Sequence, residues 1–142
     1  MATGKSESLW ERLERPSPVR QTLSPQRIAS TAVAIADAEG LEAITMRRLA
    51  AELGVAPMAP YRYVSGKDDL LELMVDRVYA DLDLPSGLDW RGSLRALAVR
   101  TRELILKHRW LAQLTPQAKL SLTPNRMAVA ERALAALGDL DL

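Results

Sequence analysis

Side chains suited to binding a nucleic acid are concentrated in one short segment of the sequence. Arginine and lysine bind phosphate oxygens and the acceptor edge of guanine, and threonine and tyrosine hydroxyls bind phosphate. Between residues 45 and 67 these residue types recur as Thr45, Arg47, Arg48, Tyr61, Arg62, Tyr63 and Lys67. Although the net charge of the chain is only +1, a local basic surface of this kind is typical of proteins that bind DNA.

The composition argues against catalysis and against metal or cofactor binding. The chain has no cysteine, which excludes disulfides, thiolate nucleophiles and cysteine-ligated zinc. His108 is its only histidine, and no serine lies in a Gly-x-Ser-x-Gly motif. Asp68 and Asp69 are a candidate carboxylate pair, but adjacent residues diverge on a helix and helix capping accounts for one of them. We therefore predict a protein that is not an enzyme and that needs no cofactor.

The sequence also lacks the signals of a membrane or secreted protein. No apolar run approaches the roughly 20 residues that span a bilayer. The first six residues, Met-Ala-Thr-Gly-Lys-Ser, lack the apolar segment of a secretory signal. We predict a cytoplasmic protein with no membrane partner.

The apolar periodicity and the capping residues predict an all-α fold. Ser24 and Thr45 are predicted N-caps, Gly40 is a predicted left-handed cap after the first helix, and Gly54 is predicted to end the second. Two short helices joined by a glycine turn, with a further helix behind them, form a helix-turn-helix. The predicted helices cover residues 25–39, 46–53, 56–63, 67–82, 90–107, 109–114 and 124–137.

The helix predicted over residues 56–63 is the one that would enter the major groove, and its sequence is unusual. Its first residues, Pro57, Met58 and Ala59, are apolar, so they can contact thymine methyl groups but cannot form hydrogen bonds with their side chains. Pro60 removes a backbone donor inside the helix. We predict a distorted or partly 3₁₀ helix whose polar readout comes from neighbouring residues.

Three regions follow from these elements. Residues 1–23 are predicted to be a mobile arm, in which Arg12, Arg15 and Arg20 either follow a phosphate backbone or remain solvated. Residues 24–82 form the helix-turn-helix domain with its connecting helix, which a capping box of Ser65 and Asp68 is predicted to open. After a linker at residues 83–87, residues 88–142 form a second helical unit with a loop at 115–122.

Residues 24–82 resemble the DNA-binding domain of the TetR family of bacterial transcriptional repressors. The residues from Trp90 to the helix ending near Leu137 resemble the beginning of the tetracycline-repressor type of C-terminal domain. The matching positions of the first region are Ile28, Ala32, Gly40, Leu41, the run 44–50, Leu53, Gly54, Val55, the run 61–64, Lys67, Leu70 and Leu71.

The resemblance implies a homodimeric repressor that binds a palindromic DNA operator and is released by a small-molecule effector. It aligns Arg47 with a base-reading arginine and places the Tyr61 hydroxyl at a phosphate, with Thr45, Arg48, Tyr63 and Lys67 as further phosphate contacts. Each of three residues has a simpler alternative role. Arg47 would only face solvent, Tyr63 would lie at the edge of the core, and Lys67 would be a solvated surface lysine.

Five residues of the second unit are candidates for an effector pocket, the alternative being ordinary core or surface positions. They are Trp90, His108, Trp110, Gln113 and Met127. The sequence departs from the family at Pro60, where a leucine-like residue is usual, and it ends before two long helices that normally pair two subunits. The second departure favours an alternative function: a truncated helical interaction module or heterodimerising fragment with weak DNA binding.

Overall fold

The chain folds into helices only, as predicted, in a computed structural model that describes residues 8–14, 23–114, 120, 122–138 and 140. No strand occurs within these ranges. The α-helices are α1 (Leu9–Glu14), α2 (Pro25–Glu39), α3 (Met46–Leu53), α4 (Lys67–Tyr79), α5 (Trp90–Lys107), α6 (Leu111–Leu114) and α7 (Pro124–Ala136), and two 3₁₀ helices cover Leu41–Ala43 and Ala59–Arg62.

The core of the first half forms where α2 packs against both α3 and α4. The apolar residues predicted for these helices are buried, among them Ile28 of α2, Leu49 of α3 and Met74 of α4. Helix α4 is buried on more than one side, since α2 and α7 both pack against it. It therefore connects the helix-turn-helix region to the second half of the chain.

Local capping determines where α2 and α3 begin and end. Ser24 Oγ accepts a hydrogen bond from the Arg27 backbone at 3.1 Å, and Thr45 Oγ1 accepts one from the Arg48 backbone at 3.0 Å. Gly54 ends α3 in the left-handed conformation, with φ 67° and ψ 32°. Gly40 also has a positive φ, 90°, but its ψ of 167° is extended, so the predicted left-handed cap does not form there.

The start and the end of α4 differ from the prediction. The residue that reaches back to Ser65 is Asp69, not Asp68: its Oδ2 accepts hydrogen bonds from the Ser65 backbone and hydroxyl, both at 2.8 Å. The N-cap of α4 is Gly66, which makes no side-chain capping bond, so the predicted capping box of Ser65 and Asp68 does not form. The helix ends at Tyr79 rather than at Leu82, and turn-type backbone hydrogen bonds follow it.

The predicted distortion at Pro60 is confirmed, although the α-helix predicted over residues 56–63 is replaced by the 3₁₀ helix Ala59–Arg62. Proline has no N–H to donate to the carbonyl four residues earlier, and the neighbouring amides instead bond three residues back. The Ala59 amide bonds to Ala56 O at 3.0 Å and the Tyr61 amide to Met58 O at 3.1 Å. Pro60 itself is fully buried and anchors the turn on the core.

The N-terminal residues that the structure describes do not form the predicted mobile arm. Leu9 is only 4% exposed, Leu23 is also buried, and Trp10 and Leu13 pack against the core. Pairing of the Arg12 side chain with Asp69 adds a polar contact. The apolar stripe of α1 explains its docking, because it buries enough apolar surface to offset the loss of chain entropy. The predictions for Arg15 and Arg20 concern residues outside the described ranges.

The second half is more open than the first. Helix α7 packs against α4 and α5, but only Leu104 of α5 is buried. Ala98, for which the apolar periodicity of α5 predicts an inward-facing position, is exposed. The predicted loop at 115–122 lies mostly outside the described residues. Among the helices described, none combines the length and the apolar character that crossing a membrane requires.

Candidate nucleic-acid interface and neighbouring cavity

The first turn of α3 presents Arg47 to solvent. The side chain is exposed and forms no hydrogen bond or ion pair with any other residue in the described part of the chain. Thr45, immediately before the helix, is exposed as well; its oxygen accepts the capping bond from Arg48, which leaves the hydroxyl proton free to be donated. A guanidinium and a hydroxyl are thus available at the start of the same helix.

Residues 57–62, which we call the reading turn, lie next to α3 and carry a protruding apolar surface. Met58 is 71% exposed, Tyr61 is 41% exposed, and Pro57 is exposed as well. Ala59 is partly buried. The structure thus places the predicted apolar base-reading residues at the surface. The regular part of the reading turn is only the short 3₁₀ helix Ala59–Arg62. The predicted base-reading residues therefore do not lie along an α-helix long enough to fill a DNA groove.

Arg48, although adjacent to Arg47, is held by acidic side chains of the protein. Its Nη2 donates to Glu39 Oε2 at 2.6 Å and its Nε to Glu52 Oε1 at 2.9 Å. The hydrogen bonds to Glu39, and then to Glu52, raise the pKa of Arg48 above its ordinary value. To reach a phosphate, Arg48 would have to give up these partners.

Tyr63 and Lys67 also have partners inside the protein. The Tyr63 hydroxyl donates to the Leu23 carbonyl at 3.0 Å, and the ring is half-buried, which matches the interpretation of a residue at the edge of the core. Lys67 Nζ lies 3.4 Å from the Leu41 carbonyl, yet its side chain is exposed. Lys67 therefore remains accessible to a phosphate, whereas the Tyr63 hydroxyl is occupied.

Asp69 is a residue that sequence reasoning did not place in this region. Its Oδ2 lies 2.6 Å from Arg12 Nη2, in addition to the two bonds from Ser65. Burial alone raises the pKa of Asp69, but the Ser65 and Arg12 hydrogen bonds outweigh it and hold this pKa below the ordinary value. The spacing of Ser65 and Asp69 was a usable local signal, whereas the partnership with Arg12 was not visible from sequence.

The lowered pKa of Asp69 predicts how stability depends on pH. A carboxyl group with a depressed folded-state pKa contributes stability that is present above its unfolded value, 3.8, and is lost as pH falls through the folded value. The difference in melting temperature between the unaltered protein and Asp69→Asn should therefore be largest near neutral pH and shrink below pH 3.8. Thermal unfolding followed by circular dichroism measures it, and a difference that is constant with pH would contradict the assignment.

Three side chains from distant parts of the chain meet at the junction of the two halves. The Asp37 carboxylate of α2 accepts a hydrogen bond from Trp110 Nε1 at 2.7 Å and one from His108 Nδ1 at 2.8 Å. An ionised carboxylate can only accept, so the proton lies on His108 Nδ1. His108 and Trp110 are buried. They therefore join the end of α5 to the helix-turn-helix domain.

Within the described part of the chain, the five predicted effector residues lie in different surroundings. Besides the two residues bound to Asp37, Trp90 stacks with Arg91, whose Cζ lies 4.7 Å from the ring centroid, and Gln113 and Met127 are exposed. A cavity of about 110 Å³ lies instead between α4, α5, α6 and α7. It is lined by Val75, Tyr79, Thr101, Ile105, Leu111, Leu114 and Arg126.

The cavity is next to the contact that fixes α7 on α4. The Asp76 carboxylate accepts hydrogen bonds from the Asn125 backbone at 2.8 Å and from the Asn125 amide at 3.1 Å. Burial raises the pKa of Asp76, and the bonds from Asn125 offset only part of that effect. Arg126, the next residue, places its guanidinium 5.4 Å from the centroid of the Tyr79 ring. It is the cationic group among the residues that line the cavity.

Comparison with known proteins matches both halves of the chain. The profile of "Bacterial regulatory proteins, tetR family" covers residues 28–74, and that of "Tetracyclin repressor-like, C-terminal domain" covers residues 84–142. The chain belongs to the TetR family. The predicted family resemblance is thus confirmed for both halves.

The curated TetR relatives are transcriptional regulators. The repressor DrrR1 of Streptomyces coeruleorubidus is 46% identical over 132 residues, which are 90% of this chain and 48% of DrrR1. The class E tetracycline repressor protein of Escherichia coli is 31% identical over 122 residues, 82% of this chain and 56% of that protein. The chain thus spans about half the length of the curated relatives it matches.

Solved TetR structures agree with the fold. The apo form of ActR from Streptomyces coelicolor superposes with a TM-score of 0.75 at 35% identity, over 84% of this chain and 57% of ActR. ActR in complex with actinorhodin gives a TM-score of 0.74 at 36% identity, over 81% of this chain and 55% of that one.

Proposed function

We propose that this TetR-family chain is the DNA-binding part of a transcriptional repressor that binds a palindromic operator as a homodimer and is released by a small molecule. The observation that carries the proposal is Arg47 at the start of α3, beside the reading turn: its side chain is exposed and has no partner among the described residues. Such a repressor works where bacterial DNA is, so the proposal implies the cytoplasm. In it, residues 24–82 are the DNA-binding domain and residues 88–142 the beginning of the sensing domain.

Each exposed residue of the surface has a proposed contact. Arg47 bonds to the acceptor edge of a guanine, and Pro57, Met58 and Ala59 contact base methyl groups. Thr45, Tyr61 and Lys67 bind phosphates and fix the orientation of the domain. Arg48 and Tyr63 act indirectly, because Arg48 is paired at the surface with Glu39 and Glu52 and the Tyr63 hydroxyl is bonded to the Leu23 carbonyl.

The second half supports dimerisation through its uncovered apolar side chains. Val99 and Leu106 of α5 are 48% and 47% exposed, and Leu134 of α7 is 67% exposed. Exposed apolar side chains on two helices that pack together, as α5 and α7 do, are a feature of surfaces that meet another helix. A homodimer would also supply the second DNA-binding domain that a palindrome requires.

The cavity supports effector binding. At about 110 Å³ it is smaller than the roughly 300 Å³ and more that drug-sized ligands occupy. An effector must therefore move α4 away from α5 and α6 to enter, and α4 is the helix against which the DNA-binding domain packs. ActR binds actinorhodin; for this chain we propose a mostly apolar effector with an oxygen acceptor that faces Arg126. The residues predicted from sequence, Trp90, His108, Trp110, Gln113 and Met127, do not line this cavity.

Selection from a random double-stranded DNA library tests the proposal. The expected product is a palindrome whose half-sites are separated by about one helical turn, roughly 10 base pairs, or a multiple of it. Size measurement at micromolar concentration should show a dimer that binds one such site. A monomer that enriches no sequence and binds all DNA weakly, with strong salt dependence, would contradict the repressor assignment.

A further inference from the structure

We propose that Arg12 of the N-terminal helix is a positioning residue for DNA binding: through Asp69 and Ser65 it holds the exit of the reading turn in its binding conformation. This inference rests on the proposed function. It assigns to the segment before the helix-turn-helix a structural role, where the sequence had suggested either a solvated arm or a phosphate contact.

The first step is the hydrogen-bonding arrangement at Asp69. A single oxygen, Oδ2, accepts from Arg12 Nη2 at 2.6 Å and from the Ser65 backbone and hydroxyl, both at 2.8 Å. The two Asp69 bonds to Ser65 fix the chain as it leaves the reading turn and enters α4. Arg12 supplies the positive charge in this half-buried cluster, because the other two donors are neutral.

The second step is a parallel contact on the same segment. The Tyr63 hydroxyl, two residues before Ser65, donates to the Leu23 carbonyl at 3.0 Å, and the intervening Val64 is fully buried. Residues 63–65 are therefore held at one end by the Leu23 carbonyl and at the other end by Asp69, which Arg12 in turn contacts. The reading turn leads directly into this segment, so a displacement here changes the direction in which Met58 and Tyr61 point.

The third step concerns the orientation of Arg12. Its side chain is only 24% exposed, and its Nε is buried. A guanidinium turned inward and paired with a carboxylate is not available to a DNA phosphate without breaking the pair. The positioning role and the phosphate role therefore predict different salt dependences, which makes them experimentally separable.

The experiment compares Arg12→Ala and Arg12→Lys with the unaltered chain, using fluorescence anisotropy on the selected operator and on operators with single base-pair changes. Arg12→Ala should weaken operator binding about fivefold to tenfold and reduce discrimination against the altered operators. The slope of log affinity against log salt should not change, because no phosphate contact is lost. Arg12→Lys, which can keep the ion pair, should restore most of the affinity.

Val129→Ala is the matched control, because it removes buried apolar contact from α7, far along the chain from the reading turn. It should lower the melting temperature without altering base discrimination. A fall of about one in the salt slope for Arg12→Ala would instead identify a phosphate contact and overturn the proposal. Unchanged affinity and discrimination would overturn it as well.

Amide hydrogen exchange separates this proposal from the proposed function. In the DNA-free protein, Arg12→Ala should accelerate exchange at the Tyr63 and Val64 amides by several-fold, and Val129→Ala should not. If the unaltered chain binds no DNA sequence selectively, the repressor assignment fails. Faster exchange in Arg12→Ala would still show that Arg12, through Asp69 and Ser65, holds the exit of the reading turn. If the exchange rates of Arg12→Ala equalled those of the unaltered chain, the positioning role of Arg12 would be overturned, whatever the DNA result.

Discussion

Replacing Asp37 with alanine is expected to lower the free energy of unfolding by about 2–4 kcal/mol. The substitution leaves Trp110 Nε1 and His108 Nδ1 without their acceptor, and both side chains are buried at the junction between the two halves. A buried donor without a partner costs more than the bond itself contributes, because its hydration is not recovered. Urea unfolding followed by tryptophan fluorescence measures the change.

Two further variants make this result specific. Glu42→Ala removes one negative charge from an exposed side chain shortly after α2, so it should change stability by less than about 0.5 kcal/mol. Asp37→Asn keeps one acceptor oxygen and should give an intermediate loss. If Asp37→Ala were as stable as Glu42→Ala, the three-residue contact would not hold the two halves together.

Replacing Arg47 with alanine is expected to weaken operator binding by about 1–3 kcal/mol and to relax preference at one base pair. Arg47 is exposed and unpaired among the described residues, so the substitution removes no contact inside the protein. The melting temperature should therefore stay unchanged while affinity falls. Titration of the selected operator, with each base pair varied in turn, identifies the position at which Arg47 acts.

Lys67→Ala serves as the comparison for Arg47→Ala. Lys67 is proposed to bind a phosphate, so its loss should weaken binding to all sequences alike and reduce the salt slope by about 1. The two variants thus separate base recognition from backbone contact. If both gave the same mobility-shift titration as the unaltered protein, the proposed orientation of the domain on DNA would be wrong.

The parts of the fold that were predictable from sequence depend on local chemistry. The N-caps at Ser24 and Thr45, the left-handed Gly54 and the 3₁₀ turn at Pro60 each follow from interactions within about four residues. The burial of α2, α3 and α4 followed from apolar periodicity. The same local reasoning chose the wrong partner for Ser65 at the start of α4, since Asp69 and not Asp68 accepts its hydrogen bonds.

The parts that were not predictable depend on contacts between distant residues. Asp37 lies 71 residues from His108, and Arg12 lies 57 residues from Asp69. No periodicity or capping rule connects such pairs, and α1 was misjudged because the residues it packs against are far away in sequence. The same limit explains why the ion pairs of Arg48 were not predicted: they depend on the tertiary positions of Glu39 and Glu52.

The burial of Pro60 beneath the exposed Met58 has a consequence for how operator preference can evolve. The side chain that anchors the reading turn lies in the core, whereas Pro57, Met58 and Tyr61 contribute little to it. Substitutions at such exposed positions usually change stability by less than about 0.5 kcal/mol. Under the proposed function, mutations here that alter the recognised DNA sequence would carry little folding cost, and a duplicated gene with this domain could acquire a new operator while its core remains unchanged.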